Sequence, residues 1–252
     1  MPDIPNARGK VISPSKDTIL VCSEGNATMA PGIYEFDPVQ NTSRLVFLDM
    51  HLRSPRDITA NDEHVWIVDY HTPHLSVIWR LDYANGSFIN PVQIFEGLRG
   101  ANSISVAPST FVKRLYVADY GYFQDIESNS KSIPVNFYQF DYKKDIPATK
   151  RTFDSKTCGS SETIKVHSSG RVFYSCNDQI TVKETNLFVL PTAFIPINEP
   201  AYSFDFADNK TLVVMHAKSI SIVQYNNQGD GINWDYIQGA NDYNGIEICC
   251  QG

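Results

Sequence analysis

Long hydrophobic runs are absent from this chain of 252 residues, and no stretch approaches the ~18 apolar residues that a membrane-spanning helix needs. Basic stretches are absent too, because 21 lysines and arginines stand against 28 acidic residues and give a net charge of −7. An acidic chain without a basic patch has no electrostatic footprint for nucleic acid. These absences predict a protein with no membrane span and no nucleic-acid partner.

Amphipathic helical periodicity is also absent, since no apolar pattern at i, i+3, i+4 and i+7 is sustained. Hydrophobic residues nevertheless make up 42% of the chain and aromatic residues 12%, which excludes disorder and supplies a large core. They occur in short β-branched and aromatic runs bounded by Gly, Pro, Asn and Asp, a pattern typical of strands and tight turns. The sequence therefore predicts an all-β globular protein.

A two-strand phrase recurs along the chain. In one copy Arg56-Asp-Ile-Thr-Ala precedes His64-Val-Trp-Ile-Val-Asp, and in the next Asn102-Ser-Ile-Ser-Val precedes Arg114-Leu-Tyr-Val-Ala-Asp. Each unit continues into a third strand that often ends in Asp, as in Ile78-Trp-Arg-Leu-Asp, and into a more polar fourth strand. Four antiparallel strands per unit, repeated every ~40–60 residues, are typical of β-propeller blades.

The repeat predicts a single β-propeller domain over residues 1–252. Counting first strands puts the blade starts near residues 9, 56, 102, 162, 202 and 244, so six innermost strands are visible. The unit that begins at Asn244 stops after its first strand. Two arrangements follow: a six-bladed ring whose last blade is incomplete in this sequence, or a five-bladed ring with an extra strand. A β-sandwich or a barrel would not explain the repeated phrase.

Cysteine usage gives a weak indication of compartment. None of the five cysteines lies in a CxxC or Cys/His pattern at zinc spacing. Cys158 and Cys176 flank one predicted strand pair, and we predict a disulfide between them. A pairing of Cys22 with Cys249 or Cys250 would join the two chain ends, and buried thiols are the alternative.

Potential N-glycosylation sites, like the predicted disulfide, indicate secretion. Four Asn-x-Ser/Thr tripeptides lie in predicted turns or strand ends. They begin at Asn26, Asn41, Asn85 and Asn209. The segment Met1-Pro-Asp-Ile-Pro has neither a charged n-region nor an apolar h-region, so the chain as given shows no signal peptide. We predict a secreted glycoprotein.

The strand phrases resemble those of a known superfamily. Two repeats carry the resemblance: Ala101-Asn-Ser-Ile-Ser-Val-Ala-Pro with Arg114-Leu-Tyr-Val-Ala-Asp, and Pro55-Arg-Asp-Ile-Thr-Ala before Val-Trp-Ile-Val-Asp. They are similar to the repeats of six-bladed, calcium-dependent lactonase and esterase propellers. These are the gluconolactonase-like, paraoxonase-like and strictosidine-synthase-like proteins. NHL-type propellers, many of them binding modules without catalysis, have nearly the same phrase. The resemblance covers the whole chain as a repeat pattern.

This resemblance implies a Ca²⁺ ion held by Asn, Asp and Glu side chains at the mouth of the central channel. A hard cation takes six to eight oxygen ligands and can polarise a lactone carbonyl. The matching positions are Asn102, Glu162 and Asn244, with Asp57 one residue away from its position.

Other matching positions depart from the pattern. They hold Arg8, Arg56 and Tyr202, and a guanidinium repels Ca²⁺. Two alternatives stay open: a polar plug in which Arg56 pairs with Glu162, or an Arg56 site for an anionic or polar organic molecule.

The loops after the second strands supply the remaining candidates. His71, His74, Arg56 and Tyr120 are the candidate catalytic residues, because histidine suits general-base work near neutral pH. Aromatic side chains and one further histidine are candidates for lining the substrate pocket. These are Tyr70, Tyr122, Phe123, Tyr202 and His216. The longest connection, residues 120–133, lies among them, and long loops often carry function.

We predict a small-molecule-processing propeller, a lactonase- or esterase-like hydrolase that acts at the channel mouth on a small organic molecule, with Ca²⁺ as its cofactor. One alternative is a propeller that binds a ligand or partner without catalysis. A second is a metal-free propeller that catalyses a natural-product cyclisation. The sequence has no nucleophile elbow, phosphate-binding glycine loop or zinc motif that would favour another chemistry.

Overall fold

A computed structural model of the chain describes thirteen segments. They are residues 4–49, 51–72, 75–84, 87–108, 113–119, 134–143, 146–157, 163–176, 179–183, 193–197, 199–216, 219–225 and 231–238. These segments contain twenty β-strands and no helix. A helix able to cross a membrane is accordingly not found in them.

The strands form five antiparallel sheets of four, each built from strands that are consecutive in sequence. Blade 1 consists of β1 (Ala7–Ile12), β2 (Ile19–Ser23), β3 (Gly32–Asp37) and β4 (Thr42–Phe47). Blade 2 consists of β5 (Pro55–Ala60), β6 (His64–Thr72), β7 (Leu75–Ala84) and β8 (Ser87–Leu98). Blade 3 consists of β9 (Ala101–Val106), β10 (Arg114–Asp119), β11 (Pro134–Lys143) and β12 (Ile146–Thr157). Blade 4 consists of β13 (Ile164–Val166), β14 (Val172–Cys176), β15 (Gln179–Lys183) and β16 (Ala193–Pro196). Blade 5 consists of β17 (Ser203–Asp208), β18 (Thr211–Met215), β19 (Ser219–Tyr225) and β20 (Gly231–Gln238).

This arrangement confirms the prediction of an all-β propeller. Asn244, the start of the predicted sixth unit, lies outside the described residues, so the choice between five and six blades stays a prediction.

Among the described residues the core consists of four apolar layers, each lying between two consecutive blades. In the first, Leu20 and Ile33 of blade 1 pack with Ile58 and Ile67 of blade 2, and equivalent clusters join blades 2 and 3, 3 and 4, and 4 and 5. A sheet covered on both faces needs strands that are apolar on both faces. This explains why the second strands are almost wholly buried. The outer strand β4 has no buried residue, as expected of an edge.

Two hairpins are longer than the repeat predicts. The strands β7 and β8 pair from Ser76 opposite Leu98 as far as Ala84 opposite Ser87, and β11 and β12 form a similar ribbon. At the far end of the first ribbon the rings of Tyr83 and Phe88 lie 5.1 Å apart between centroids, which stabilises the extension.

Polar side chains join the innermost strands of neighbouring blades. The carboxylate of Asp57 on β5 accepts hydrogen bonds from the N–H of Ile104 (2.9 Å) and the hydroxyl of Ser103 (2.8 Å) on β9. The hydroxyl of Ser103 in turn accepts from the N–H of Ile164 on β13 (3.2 Å). An innermost strand has no strand partner on its channel side, so its N–H groups need side-chain acceptors from the preceding blade.

Gly9 allows blade 1 to approach this contact. A Cβ at residue 9 would lie 2.2 Å from Oδ1 of Asp57 and 2.5 Å from its Cα. The Cα belongs to the backbone of β5 and cannot move aside as a flexible side chain can. Only glycine therefore permits β1 and β5 to pack at this distance.

Buried tyrosines in the layers make the fold sensitive to alkaline pH. Burial raises the pKa of Tyr116, Tyr174 and Tyr225 above 10.0, and it raises that of Tyr142 to about 12. Above pH 10 the folded state keeps protons that the unfolded chain releases, so stability falls as pH rises, by about 1.4 kcal/mol per pH unit for each such tyrosine. We expect tyrosinate absorbance and loss of the β-sheet circular dichroism signal to appear together in one transition. Tyrosines that ionise near pH 10 while the sheet signal persists would contradict this.

Candidate active site

The starts of the first strands and the ends of the second strands meet at one end of each antiparallel sheet. We call this end the mouth. The residues at its first-strand starts are Arg8, Arg56, Asn102 and Tyr202. Arg56 and Asn102 are the extra residues of β-bulges, and the register of β1 shifts between Ala7 and Lys10, around Arg8. A bulge redirects a side chain out of the regular alternation of a strand, and all four residues are at least partly exposed.

Two of these residues share one carboxylate. Arg8 donates from Nε (2.9 Å) and Nη2 (2.7 Å) to Oε2 of Glu24, while Nη1 of Arg56 lies 3.1 Å from Oε1. The hydroxyl of Ser54 also donates to Oε1. The guanidinium of Arg56 lies over the ring of Tyr70, 5.2 Å from its centroid, which holds it by a cation–π contact.

The electrostatics of this cluster favour an ionised Glu24. Partial burial alone would raise the pKa of its carboxyl. The hydrogen bonds from Ser54 and Arg8 and the positive charges of the two arginines outweigh burial and hold the pKa below its ordinary value. The cluster thus contains one anion and two cations.

An Asp–His pair lies at the end of β6. Asp69 is fully buried, and its Oδ2 is 2.8 Å from Nε2 of His71. Because an ionised carboxylate only accepts hydrogen bonds, Nε2 carries the proton and Nδ1 is the basic nitrogen, a tautomer assigned from the partner. The side chain of His71 is 20% exposed, so the pair is open to small molecules at the mouth.

Ser54 connects the pair to the arginine cluster. Its backbone N–H donates to Oδ1 of Asp69 (2.8 Å), and its hydroxyl donates to Glu24. A continuous chain of hydrogen bonds, completed by the ion pair between Glu24 and Arg56, therefore runs from His71 through Asp69, Ser54 and Glu24 to the two guanidiniums. We call this chain the mouth network; it spans blades 1 and 2.

Asp119 and His216 occupy the position of Asp69 in blades 3 and 5. Asp119 accepts from the N–H groups of Arg99 and Gly100, just before β9. In blade 5 the residue that corresponds to Ser54 and Gly100 is Pro200, which has no N–H, so a carboxylate would lack the donor that those two residues supply. His216 is fully buried, with Nδ1 3.2 Å from the carbonyl oxygen of Pro200 and Nε2 2.8 Å from Oγ of Ser221. The structure thus places His216 inside the protein, where it holds the segment before β17.

The described part of the mouth does not fit a Ca²⁺ ion. The carboxylate of Asp57 already accepts three hydrogen bonds from Ile58, Ser103 and Ile104. Within the described segments no group of three or more His, Cys, Asp or Glu side chains could hold a metal. Asn102 offers a neutral amide, and the equivalent positions of blades 1 and 2 hold the guanidiniums of Arg8 and Arg56. Glu162 and Asn244 lie outside the described residues, and the predicted calcium ligand set stays a prediction.

Other predicted residues also lie outside the described segments. They are His74, Asn85, Tyr120, Tyr122, Phe123 and Cys158. Cys176 is disulfide-bonded and Cys22 is a buried thiol, while the pairing of Cys176 with Cys158 stays a prediction. Asn26, Asn41 and Asn209 are exposed in turns, and their glycosylation also stays a prediction.

Residue types alone did not reveal Glu24 and Ser54 as parts of the site. Arg56 pairs with Glu24 of the preceding blade, whereas Glu162, the partner that the sequence offers, lies outside the described residues. The available signal is positional: Glu24 directly follows β2, as Tyr70 and His71 follow the buried part of β6.

The fold is similar to that of solved gluconolactonase-type propellers. A gluconolactonase from Xanthomonas campestris is 18% identical, with a TM-score of 0.62 over 83% of this chain and 68% of that protein. A candidate gluconolactonase is 12% identical, with a TM-score of 0.60 over 93% and 89%. A protein from Lactobacillus plantarum is 11% identical, with a TM-score of 0.56 over 86% of this chain and 64% of that protein.

No protein-family model matches the sequence, and the comparison with curated proteins gives no match. At these low identities, the likeness to solved structures shows the fold. The propeller fold that the strand phrases imply is therefore established, and the chemistry has to be argued from the site.

Proposed function

We propose that this chain is a small-molecule hydrolase of lactone or ester bonds, with its active site at the mouth. The observation that carries the proposal is the mouth network. It holds a buried carboxylate against one nitrogen of a part-exposed histidine and connects both groups to two guanidiniums. A base oriented by a carboxylate, beside preorganised cations, is the equipment that acyl transfer to water requires.

The residues divide the chemistry between them. Nδ1 of His71 accepts a proton from a water molecule as the water oxygen bonds to the substrate carbonyl carbon. Guanidinium N–H groups of the arginine cluster stabilise the negative charge that develops on the carbonyl oxygen. The carbon–oxygen bond of the lactone then breaks, and the proton passes from His71 to the leaving alkoxide. The product is a hydroxy acid, and no atom or electron is left over.

Fold similarity supports the proposal without carrying it. The Xanthomonas campestris protein is described as a gluconolactonase and has the same propeller architecture over most of this chain. A lactone is a small, uncharged or singly charged ring that fits a site formed at the ends of a few strands. We extend its reaction class, and not its substrate, to this chain.

The direct test is hydrolysis of a panel of γ-lactones, δ-lactones and simple esters, followed by proton release. We expect saturable turnover of at least one ring class, and we expect it to persist after dialysis against EDTA, because the proposed base and the groups that stabilise the carbonyl oxygen are protein side chains. Absence of turnover across the panel would contradict the hydrolase. Turnover that disappears with EDTA and returns with Ca²⁺ would instead favour the ligand set with Glu162 and Asn244.

A further inference from the structure

The described residues at the first-strand starts share one chemical property: each donates hydrogen bonds. Two are guanidiniums, one is an amide and one is a phenol. They are Arg8, Arg56, Asn102 and Tyr202. None is a carboxylate, so these four positions form a donor set that suits an anion and not a cation.

The charges at the mouth are unequally exposed. The side chains of Arg8 and Arg56 are 45% and 30% exposed, whereas that of Glu24 beneath them is only 16% exposed. One carboxylate cannot neutralise two guanidiniums, and the surplus positive charge therefore lies on the solvent side.

Neighbouring residues reinforce this asymmetry. Arg53 and Arg99, which precede β5 and β9, are exposed at the same end. The acids beside them, Asp69 and Asp119, are buried and accept backbone hydrogen bonds. Glu199, at the equivalent position before β17, is partly exposed, so the described residues around the first-strand starts expose four arginines against Glu24 and Glu199. The local charge there is positive on a chain whose net charge is −7, and such a field concentrates anions.

Arg56 is preorganised to receive an anion. Its Nη1 is held by Glu24 and its plane lies over Tyr70, so the orientation of the guanidinium is set before a ligand arrives. The planar guanidinium has five N–H donors and matches a carboxylate with two parallel hydrogen bonds. A single negative charge also equals the surplus of one positive charge in the cluster.

We propose that the substrate of this site carries a carboxylate that binds Arg56 and Arg8, and that the substrate class is a carboxylate-bearing lactone or ester. The inference rests on the proposed function in taking the mouth as the active site. It adds that the two arginines select the substrate by its charge, a property that hydrolysis of neutral lactones would not require.

The test uses a binding measurement that does not depend on turnover. Cyclopentanecarboxylate and cyclopentanecarboxamide have the same ring and differ in charge, and neither contains a hydrolysable ring bond. By isothermal titration calorimetry on the full chain, we expect the acid to bind about tenfold or more tightly than the amide. We expect its affinity to fall as salt is added.

Variants assign the effect to the mouth. Arg56→Gln is expected to remove most of the preference for the acid. Arg44→Gln is the matched control, because Arg44 donates two hydrogen bonds to Glu35 on blade 1, as Arg8 does to Glu24, but lies outside the mouth network. It should leave the preference unchanged. Thermal melting of each variant shows whether it is folded.

Three outcomes would overturn the inference: no measurable binding of the acid, equal affinity for acid and amide, or an unchanged preference in folded Arg56→Gln. Tenfold tighter binding of cyclopentyl phosphate would replace carboxylate with phosphate as the ligand class. Failure of the proposed hydrolase looks different, because the acid would bind while 5-oxotetrahydrofuran-2-carboxylate, a lactone that carries a carboxylate, stays intact.

Discussion

His71→Gln is expected to lower kcat/KM for lactone hydrolysis by about 10²–10⁴-fold, the range that a general base contributes. Glutamine can still reach Asp69 through its side-chain amide, so the local fold is retained while the basic nitrogen is lost. His71 is a better probe than Asp69, because Asp69 also accepts the N–H groups of Arg53 and Ser54 and its removal would disturb the segment before β5. The measurement is steady-state hydrolysis of the lactone that the wild type turns over.

His51→Gln is the matched control for this substitution. His51 pairs with Asp49, two residues away, through a 2.7 Å contact, just as His71 pairs with Asp69, but His51 is largely exposed and lies outside the mouth network. The activity of the His51→Gln variant should stay within about twofold of the wild type. A folded His71→Gln variant that keeps more than half of the wild-type kcat/KM would contradict a base at this position, and an equal loss in both variants would show an unspecific effect.

The propeller fold could be predicted from the sequence because burial imposes a pattern on every blade. A second strand packed between two sheets must be apolar on both faces, and this requirement explains apolar runs such as Val65–Val68. The outer strands of blade 4 are less predictable. β15 contains no Asp, whereas the third strands of blades 1 to 3 contain Asp37, Asp82 and Asp141. More residues separate β15 from its partner β16 than separate the third and fourth strands of blades 1 to 3, so the repeated sequence pattern is not recognisable there.

The site was only partly predictable, for a geometric reason. The sequence indicates which residues start the innermost strands, and it correctly brings Arg56 and His71 to one end of blade 2. It does not indicate that Glu24 of blade 1 lies within 3.1 Å of Arg56, because that contact depends on the angle between two blades. Asp57 illustrates the same limit. The sequence places it near the mouth, whereas its hydrogen-bond partners on β9 depend on how closely the neighbouring strands approach.

Asp57→Ala is expected to lower the free energy of unfolding by about 3–5 kcal/mol near neutral pH, measured by urea denaturation. The substitution leaves the N–H groups of Ile58 and Ile104 and the hydroxyl of Ser103 without their acceptor, and each buried donor left unpaired costs about 1–3 kcal/mol. Removing a desolvated carboxyl offsets part of this loss. The two backbone donors are fixed by their strands and cannot turn to other partners.

Asp205→Ala is the matched control for the stability loss. Asp205 accepts the N–H of the next residue, Phe206, at 2.8 Å, as Asp57 accepts that of Ile58. Its other oxygen makes a long ion pair with Nζ of Lys165, 3.9 Å away, in place of the two hydrogen bonds that Asp57 accepts from β9. Its removal should cost less than about 1.5 kcal/mol. If both substitutions cost the same, the hydrogen bonds from Asp57 to blade 3 would not be the source of the stability.

The pH dependence of the stability loss in Asp57→Ala shows whether the folded protein favours the protonated or the ionised form of the Asp57 carboxyl. Burial raises its pKa above 3.8, and the charge of Lys165 and the hydrogen bonds only partly oppose this. The folded state then keeps a proton that the unfolded chain releases. The contribution of Asp57 is therefore complete below pH 3.8 and declines as pH rises through the folded-state pKa. We expect the loss to be larger near pH 4 than near pH 8. A loss that grows with pH would show that the three donors stabilise the anion more than burial destabilises it, and the joint between blades 2 and 3 would then be held by a buried charge.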